Sequence, residues 1–374
     1  MLTPQDDHIG HQLPTTFDHV GTSDPAWMER YWYTGHLVPS GEVIFDLGLG
    51  YHPNRNVMDA FAGVTVGGRQ YNFRASRHLR PNPLHPLHTR IGPLEFAVLE
   101  GFKRHRLTLD RNASGISFDI EFLGGFNPHE EAQRFRRRNG RITENLARCQ
   151  QLGRYAGWLE VDGRRHELTP ESWCGQRDHS WGIRAELRTD EAHPPLTHFQ
   201  PSFWTWVAVQ FPQRGLLWSF TERAPGDIAY LTGEEVLPLG QRASRGLHVD
   251  DVRHELVWAK DRLGQTLASG SFELTLASGK KRQLELRTLP ARYFLKGGLY
   301  GGLGGWFQGD DKGPLHLEHE QWDLRDAATR RLTRTLADHV VEVREGDEVG
   351  YGIIEYAVAP GYPKYQEVQE FPPY

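Results

Sequence analysis

Residues 61–73 read F-A-G-V-T-V-G-G-R-Q-Y-N-F. On either side of Gly67-Gly68, apolar and polar residues alternate with the period of a half-buried strand. A Gly-Gly pair accepts the positive φ that a two-residue hairpin loop demands. The same pattern recurs along the chain. G-W-L-E-V-D-G-R-R-H-E-L turns at Asp162-Gly163, L-T-L-D-R-N-A-S-G-I-S-F-D-I-E-F around Asn112 to Gly115, and V-A-V-Q-F-P-Q-R-G-L-L-W-S-F around Pro212 to Gly215. T-L-A-S-G occurs at Thr266 to Gly270 and again at Thr275 to Gly279, a spacing of one strand plus one turn that reads as a local meander. Turn signals every 8–12 residues or about that predict an all-β fold, a sandwich or barrel of antiparallel strands.

The chain has 374 residues, more than one ordinary domain holds, so two domains, or one large β domain, are expected. The most linker-like segment is D-E-A-H-P-P-L-T-H-F-Q-P, which places the boundary near 190–200 and the domains at 1–190 and 191–374. Helix is scarce. Asn127-Pro128 followed by Glu130 and Glu131, with Gly140 beyond, has the form of a capped helix start and stop. Together with I-T-E-N-L-A-R-C-Q-Q-L-G it predicts a short helical excursion over 127–150.

A net charge of −5 gives no electrostatic reason to expect nucleic acid as a partner. The basic run Arg134, Arg136, Arg137, Arg138 stands beside Glu130 and Glu131 and reads as a solvated, self-compensated surface. The first residues lack an apolar signal region, and no run approaches the roughly 20 apolar residues of a membrane span. Two cysteines, Cys149 and Cys174, are too few for a disulfide framework and fit buried thiols in a reducing compartment, so a cytoplasmic location is expected. A homodimer is an open expectation.

Eleven tryptophans crowd the middle of the chain. In W-T-W-V-A-V-Q-F, alternation sends Trp204 and Trp206 to one face and Val207 and Val209 to the other, so both faces are apolar. One face can fill a core; the other needs a second domain or a hydrophobic ligand.

Several kinds of chemistry are excluded. There is no phosphate-loop motif, no G-x-S-x-G elbow and no H-x-H or H-E-x-x-H pair. K-G-G-L-Y-G-G-L-G-G-W-F reads as a tight corner or close strand crossing. In L-H-L-E-H-E-Q-W, His316, Glu318 and Glu320 share a strand face and His319 takes the other. A facial metal site is conceivable there, though polar surface is the plainer reading, and no cofactor is expected.

One segment breaks the β pattern. Residues 173–184, W-C-G-Q-R-D-H-S-W-G-I-R, place Gln176 through Ser180 in succession without an aliphatic side chain. As a regular strand it directs Gln176, Asp178 and Ser180 to one face and Arg177, His179 and Trp181 to the other. Burial beside tryptophan would raise the pKa of Asp178 and an adjacent guanidinium would lower it. A carboxyl kept protonated can act as a general acid toward a double bond, with tryptophan faces stabilising a cation. The same residues could equally form a buried, catalytically silent latch.

G-Q-R-D-H-S-W-G-I-R resembles the G-x-R-D-H-S-W-G-x-R signature of a bacterial group of two-domain proteins similar to the carotenoid 1,2-hydratase and AttH-like family. W-M-E-R-Y-W-Y-T-G-H-L with L-G-L-G-Y-H-P-N-R-N, R-Y-A-G-W-L-E-V-D-G and the C-terminal G-Y-G-I-I-E-Y extend the likeness over most of the chain. The resemblance implies two lipocalin-like antiparallel barrels packed together and a pocket for a hydrophobic small molecule. It further implies cofactor-independent hydration, isomerisation or cyclisation of a terpenoid, steroid-like or polyketide substrate by acid catalysis at a C=C bond. In that reading Asp178 protonates the alkene and His179 orients it or serves as base for water. Arg177, Trp181, Arg184, Tyr155, Trp204, Trp206, Glu355 and Tyr356 contact substrate. The alternative is a non-catalytic carrier of a lipophilic molecule.

Overall fold

The computed structural model describes residues 2–11, 20–138, 140–184, 201–242, 246–261, 264–333 and 336–368. The fold is nearly all β, arranged as two almost closed, barrel-shaped antiparallel sheets. In the first, Trp27–Leu37, Val43–His52, Val57–Val66 and Arg69–His78 follow one another as neighbours. Trp173–Ile183 lies on the other side of Trp27–Leu37 and pairs in turn with Arg141–Val161, which leads to Ile116–Gly124, Arg104–Leu109 and Leu94–Glu100. The second sheet runs in the order Ile228–Val236, Gly215–Glu222, Phe203–Gln210, Glu348–Val358, Ala337–Glu345, Lys281–Phe294, Gly264–Leu276 and Val249–Asp261. The hairpin turns carry the dihedrals their residues allow: φ is +58° and +77° at Gly67 and Gly68, and +51° and +75° at Asp162 and Gly163, as paired left-handed loop positions require.

The expected boundary at 190/191 lies outside the described residues. One strand crosses over: Leu315–Asp323, from the second half of the sequence, pairs with Arg69–His78 at the edge of the first sheet. No helix among the described residues is long and apolar enough to cross a membrane.

Three apolar clusters account for the core. Rings such as Phe45, Phe122 and Tyr155 fill the first barrel, and Trp218, Phe220 and Phe272 fill the second. A third cluster joins the barrels through Trp32, Ile44, Phe61, Trp206, Tyr293 and Ile353. Trp206 therefore finds a second barrel on its face of the strand, with Trp32 edge-on at 5.5 Å, while Val207 and Val209 go to the barrel core. Gly63 permits this junction: a Cβ there would lie 2.1 Å from the ring of Tyr293. The glycine-rich stretch after Phe294 is a similar close approach, since a Cβ on Gly297 would meet Asn72 Oδ1 at 2.2 Å.

The helical excursion over 127–150 is overturned. His129–Glu130, Arg134–Arg138 and the first half of Arg141–Val161 are strands. The side chain of Asn127 does not cap a helix; it bonds to Gln241 O at 2.8 Å and accepts from Gly240 N at 3.0 Å, fastening the chain to the second barrel. Ladder pairing of residues 145–154 with Trp173–Ile183 then outweighs local helix propensity. Among the described residues the one α-helix is Ala327–Leu332, capped by Asp326 accepting from Thr329 N at 2.8 Å.

Candidate active site between the barrels

The register of Trp173–Ile183 against Trp27–Leu37 is unbroken over all eleven pairs, so no bulge disturbs the alternation and Asp178 and His179 point to opposite faces. The face that enters the first barrel carries Arg177, His179 and Trp181. Arg177 is buried, with Nη1 2.7 Å from Asp7 Oδ1 and Nε and Nη2 donating to Gln151 Oε1 at 3.1 and 2.9 Å. Asp7 also meets His105 Nε2 at 2.6 Å and accepts from Phe102 N. Burial alone would raise the Asp7 pKa, but Arg177 and His105 outweigh it and hold the carboxyl well below the usual range. Burial and Arg177 push His105 down to about 4. A neutral ring donates to Asp7 through Nε2, and its Nδ1 accepts from the Tyr33 hydroxyl at 2.6 Å.

His179 makes the second half of this network. Its Nε2 lies 2.9 Å from Glu29 Oε1, which His11 Nδ1 also reaches at 3.1 Å, and Gly10 N donates to Glu29 Oε2 at 2.9 Å. Against the opposing effect of burial, the His11 and His179 hydrogen bonds bring Glu29 down to about 2. The three donor atoms of His11, Glu29 and His179 lie within 4.8 Å of one another, and hydrogen bonds already link them. Trp181 packs on the His11 ring, centroids 4.7 Å apart. Arg177, His179 and Trp181 thus pin residues 7–11 across the first barrel.

The opposite face looks toward the second barrel. Asp178 Oδ2 lies 3.4 Å from Arg148 Nε, and Arg148 Nη1 lies 3.4 Å from Glu131 Oε1. Glu131 accepts from Trp206 Nε1 at 3.2 Å and from the Tyr230 hydroxyl at 3.3 Å. Burial would lower the Arg148 pKa, but Glu131 and Asp178 keep the guanidinium charged. Across the junction, Glu355 stands opposite Trp206 in the sheet. Burial lifts its carboxyl to about 7, restrained by a hydrogen bond with Asp338 and by Arg148, and assisted by Asp178 and Asp46.

Behind Glu355 sit two fully buried acids. Both Asp46 and Asp338 are fully buried; Asp338 is in hydrogen-bonding contact with Asp46 and Glu355, and Asp46 also with Thr34. Adjacent carboxyls in a dry site cannot all ionise. Burial and the charges of Asp46 and Glu355 hold Asp338 well above the ordinary range, and burial raises Asp46 to about 7. Asp338 is therefore the proton holder that donates to its neighbours. Arg30 lies over the Tyr300 ring at 4.3 Å and bonds to its hydroxyl. Tyr300 is in electrostatic reach of Arg184, Asp178 and Glu355. Asp178, Glu355, Tyr300 and Trp204 are all partly accessible.

Five residues expected from sequence thus converge between the barrels: Asp178, Arg184, Trp204, Trp206 and Glu355. The other five do not. Arg177, His179 and Trp181 belong to the first barrel's network. Tyr155 is buried there against Phe45 and Phe122, and Tyr356 turns into the second barrel against His339 and Trp258. Asp46, Asp338, Arg148, Arg30 and Tyr300 went unrecognised in the sequence. The His316 and Glu318 group is an arginine–carboxylate cluster: Arg74 donates to Glu320 at 2.7 Å and stands 3.5 Å from Glu318.

The class that the fold defines is a nearly all-β chain of two almost closed, barrel-shaped antiparallel sheets, with buried and half-buried acids where they meet. More specifically, the chain belongs to the family of unknown function DUF8625, whose model matches residues 2–364. A search of curated proteins finds no sequence match. Among solved structures, the chain is similar to an AttH-like protein from Nitrosomonas europaea, with a TM-score of 0.52 and 10% identity over 88% of this chain and 92% of that one. Weaker similarity links it to kievitone hydratase from Nectria haematococca, TM-score 0.39 and 10% identity over 88% and 89% of the two chains. CghA in complex with Sch210972 gives 0.46 and 12% identity, with 89% of each chain covered. The first of these shows a shared fold, in line with the resemblance read from the signature.

Proposed function

We propose that the carboxyl cluster between the barrels is a proton-transfer site for a hydrophobic, unsaturated small molecule of terpenoid, steroid-like or polyketide type. The reaction is hydration, isomerisation or cyclisation at a C=C bond. The observation that carries this reading is Glu355, on a half-buried residue, its carboxyl raised by burial to about 7 and in hydrogen-bonding contact with the buried acid Asp338, which in turn meets Asp46. A general acid works best with a pKa near the working pH.

In this mechanism Glu355 gives its proton to one alkene carbon, and the π electrons form the new C–H bond. The cation left on the neighbouring carbon faces the rings of Trp204 and Tyr300. Asp338 donates its hydrogen bond to the new Glu355 carboxylate and stabilises it. Asp178, 3.4 Å from Arg148 Nε, orients a water whose oxygen pair closes on the cation, and its carboxylate accepts the released proton. Isomerisation differs only in losing a proton from another carbon. The chemical role expected of Asp178 thus moves from acid to base, and His179 secures the strand instead of orienting Asp178.

The test is incubation of the protein in deuterium oxide with a panel of terpenoid and polyketide polyenes, read by mass spectrometry. Product carrying one carbon-bound deuterium is expected, lost in Glu355→Gln and Asp178→Asn variants that retain the fold. Binding of a polyene without label uptake, at an affinity unchanged in both variants, would establish the carrier reading instead.

A further inference from the structure

On the inward face of the first barrel, three ligating side chains come together from three places in the chain. His11 belongs to the N-terminal segment, Glu29 to Trp27–Leu37 and His179 to Trp173–Ile183. The two strands are neighbours, with Glu29 opposite Trp181 and His179 opposite Tyr31, so Glu29 and His179 meet on a diagonal. Both are fully buried and His11 is half-buried. One donor atom from each lies within 4.8 Å of the other two, the one such trio among the described residues.

Two imidazoles converge on one carboxylate oxygen. Glu29 Oε1 is 2.9 Å from His179 Nε2 and 3.1 Å from His11 Nδ1, and His8 O stands 3.1 Å from that same His11 nitrogen. Ligands that share a zinc ion at about 2.0–2.1 Å are themselves about 2.9–3.4 Å apart, so these spacings suit a common ion. The rings of His11 and His179 stand edge to face, their centroids 5.6 Å apart. Gly10 N ties off the other oxygen, Glu29 Oε2, at 2.9 Å and leaves Oε1 to face the rings.

The surroundings supply an outer shell. Asp6 Oδ1 lies 3.7 Å from His11 Nε2, the nitrogen turned away from Glu29, and a carboxylate behind a ligating histidine fixes its tautomer and orientation. The Tyr31 ring lies 4.6 Å from that of His179, and the Trp181 ring 4.7 Å from that of His11, so aromatic walls flank the polar centre. Two imidazoles and a carboxylate are a ligand set that suits zinc, with a position left for a fourth donor.

We infer that His11 Nδ1, Glu29 Oε1 and His179 Nε2 bind one divalent transition-metal ion of the zinc class, with His8 O or water in the remaining position. The ion takes the place of the protons that the two imidazoles share with Glu29 in the metal-free form, and it staples the N-terminal segment to the first barrel. The site lies on the opposite face of the strand from Asp178, so it stands or falls apart from any chemistry at Glu355.

Titration of the full chain with Co²⁺, after stripping with EDTA, tests the inference. One equivalent should bind and develop the visible absorption of a four- or five-coordinate site, and one equivalent of Zn²⁺ should discharge it. His11→Gln and Glu29→Gln should each weaken Co²⁺ binding more than about 100-fold, beyond the roughly 10–100-fold that loss of an outer-shell partner costs. Asp6→Asn keeps all three ligands and should weaken binding about tenfold. The surface pair His316 and Glu318 is the control, and a His316→Gln, Glu318→Gln double variant should leave the absorption unchanged. The assignment is overturned by absence of Co²⁺ absorption in the parent, or by undiminished binding in folded His11→Gln, read in Asp6→Asn if His11→Gln does not fold. Loss of binding in the His316 and Glu318 double variant overturns it too, and identifies an adventitious surface ion only.

Discussion

Asp46 offers the most direct measurement of the buried acids, because it needs no substrate. Its pKa rises from an ordinary 3.8 to about 7 in the folded chain. Folding then takes up a proton at any pH between those values, so the burden grows as pH rises and levels off above 7. At about 1.4 kcal/mol for each tenfold change in proton affinity, the full penalty is about 4 kcal/mol, of which about 2–3 kcal/mol develops between pH 5 and 8. Asp46→Asn removes the ionisation while its amide oxygen can still accept from Asp338. Urea denaturation of both proteins at pH 5 and pH 8 should show the variant gaining about 2–3 kcal/mol on the parent between the two conditions. Identical pH dependence would mean that Asp46 ionises freely in the folded chain, and the chain of shared protons behind Glu355 would have to be abandoned.

Other perturbations have equally definite outcomes. Asp7→Ala strands Arg177 in the first barrel, and removing one partner of a buried pair costs about 3–5 kcal/mol, measurable as a lowered denaturation midpoint. Glu29, at about 2 against an ordinary 4.5, contributes about 3 kcal/mol above pH 4.5 that fades as pH falls toward 2; Glu29→Gln should flatten that acid limb. Gly63→Ala drives a methyl into Tyr293 at the barrel junction, and overpacking of this kind costs about 1–3 kcal/mol or more, readable in Tm.

Hairpin chemistry is local, so the strands were legible from their turns. The pairs at 67–68 and 162–163 could hardly be anything else, and strict period two sufficed to separate Asp178 from His179 and Trp206 from Val207. The failed helix at 127–150 shows the limit of the same reasoning: Asn127 and Pro128 have the residues of a helix start, but the partner of Asn127 is a turn more than a hundred residues away. The carboxyl cluster was half visible for a related reason. Asp46 in I-F-D-L and Asp338 in L-A-D-H-V-V are lone acids inside apolar strands, an anomaly that only a buried acceptor or proton holder explains. Nothing in the sequence says that these two strands meet across the barrels. Likewise His11 and Asp7 stand far from His179 and Arg177 along the chain, so the latch appears only once the N-terminal segment is seen lying on the barrel.

The strand Leu315–Asp323 imposes an order of events on synthesis. Until residue 315 has left the ribosome, Arg69–His78 keeps an open row of backbone donors and acceptors, the kind of edge that recruits other chains. The first barrel therefore cannot finish before most of the second has been made. A halved chain ending near residue 184 would carry that open edge permanently, and its fate in the cell would be association with itself or with a chaperone, not independent life as a domain.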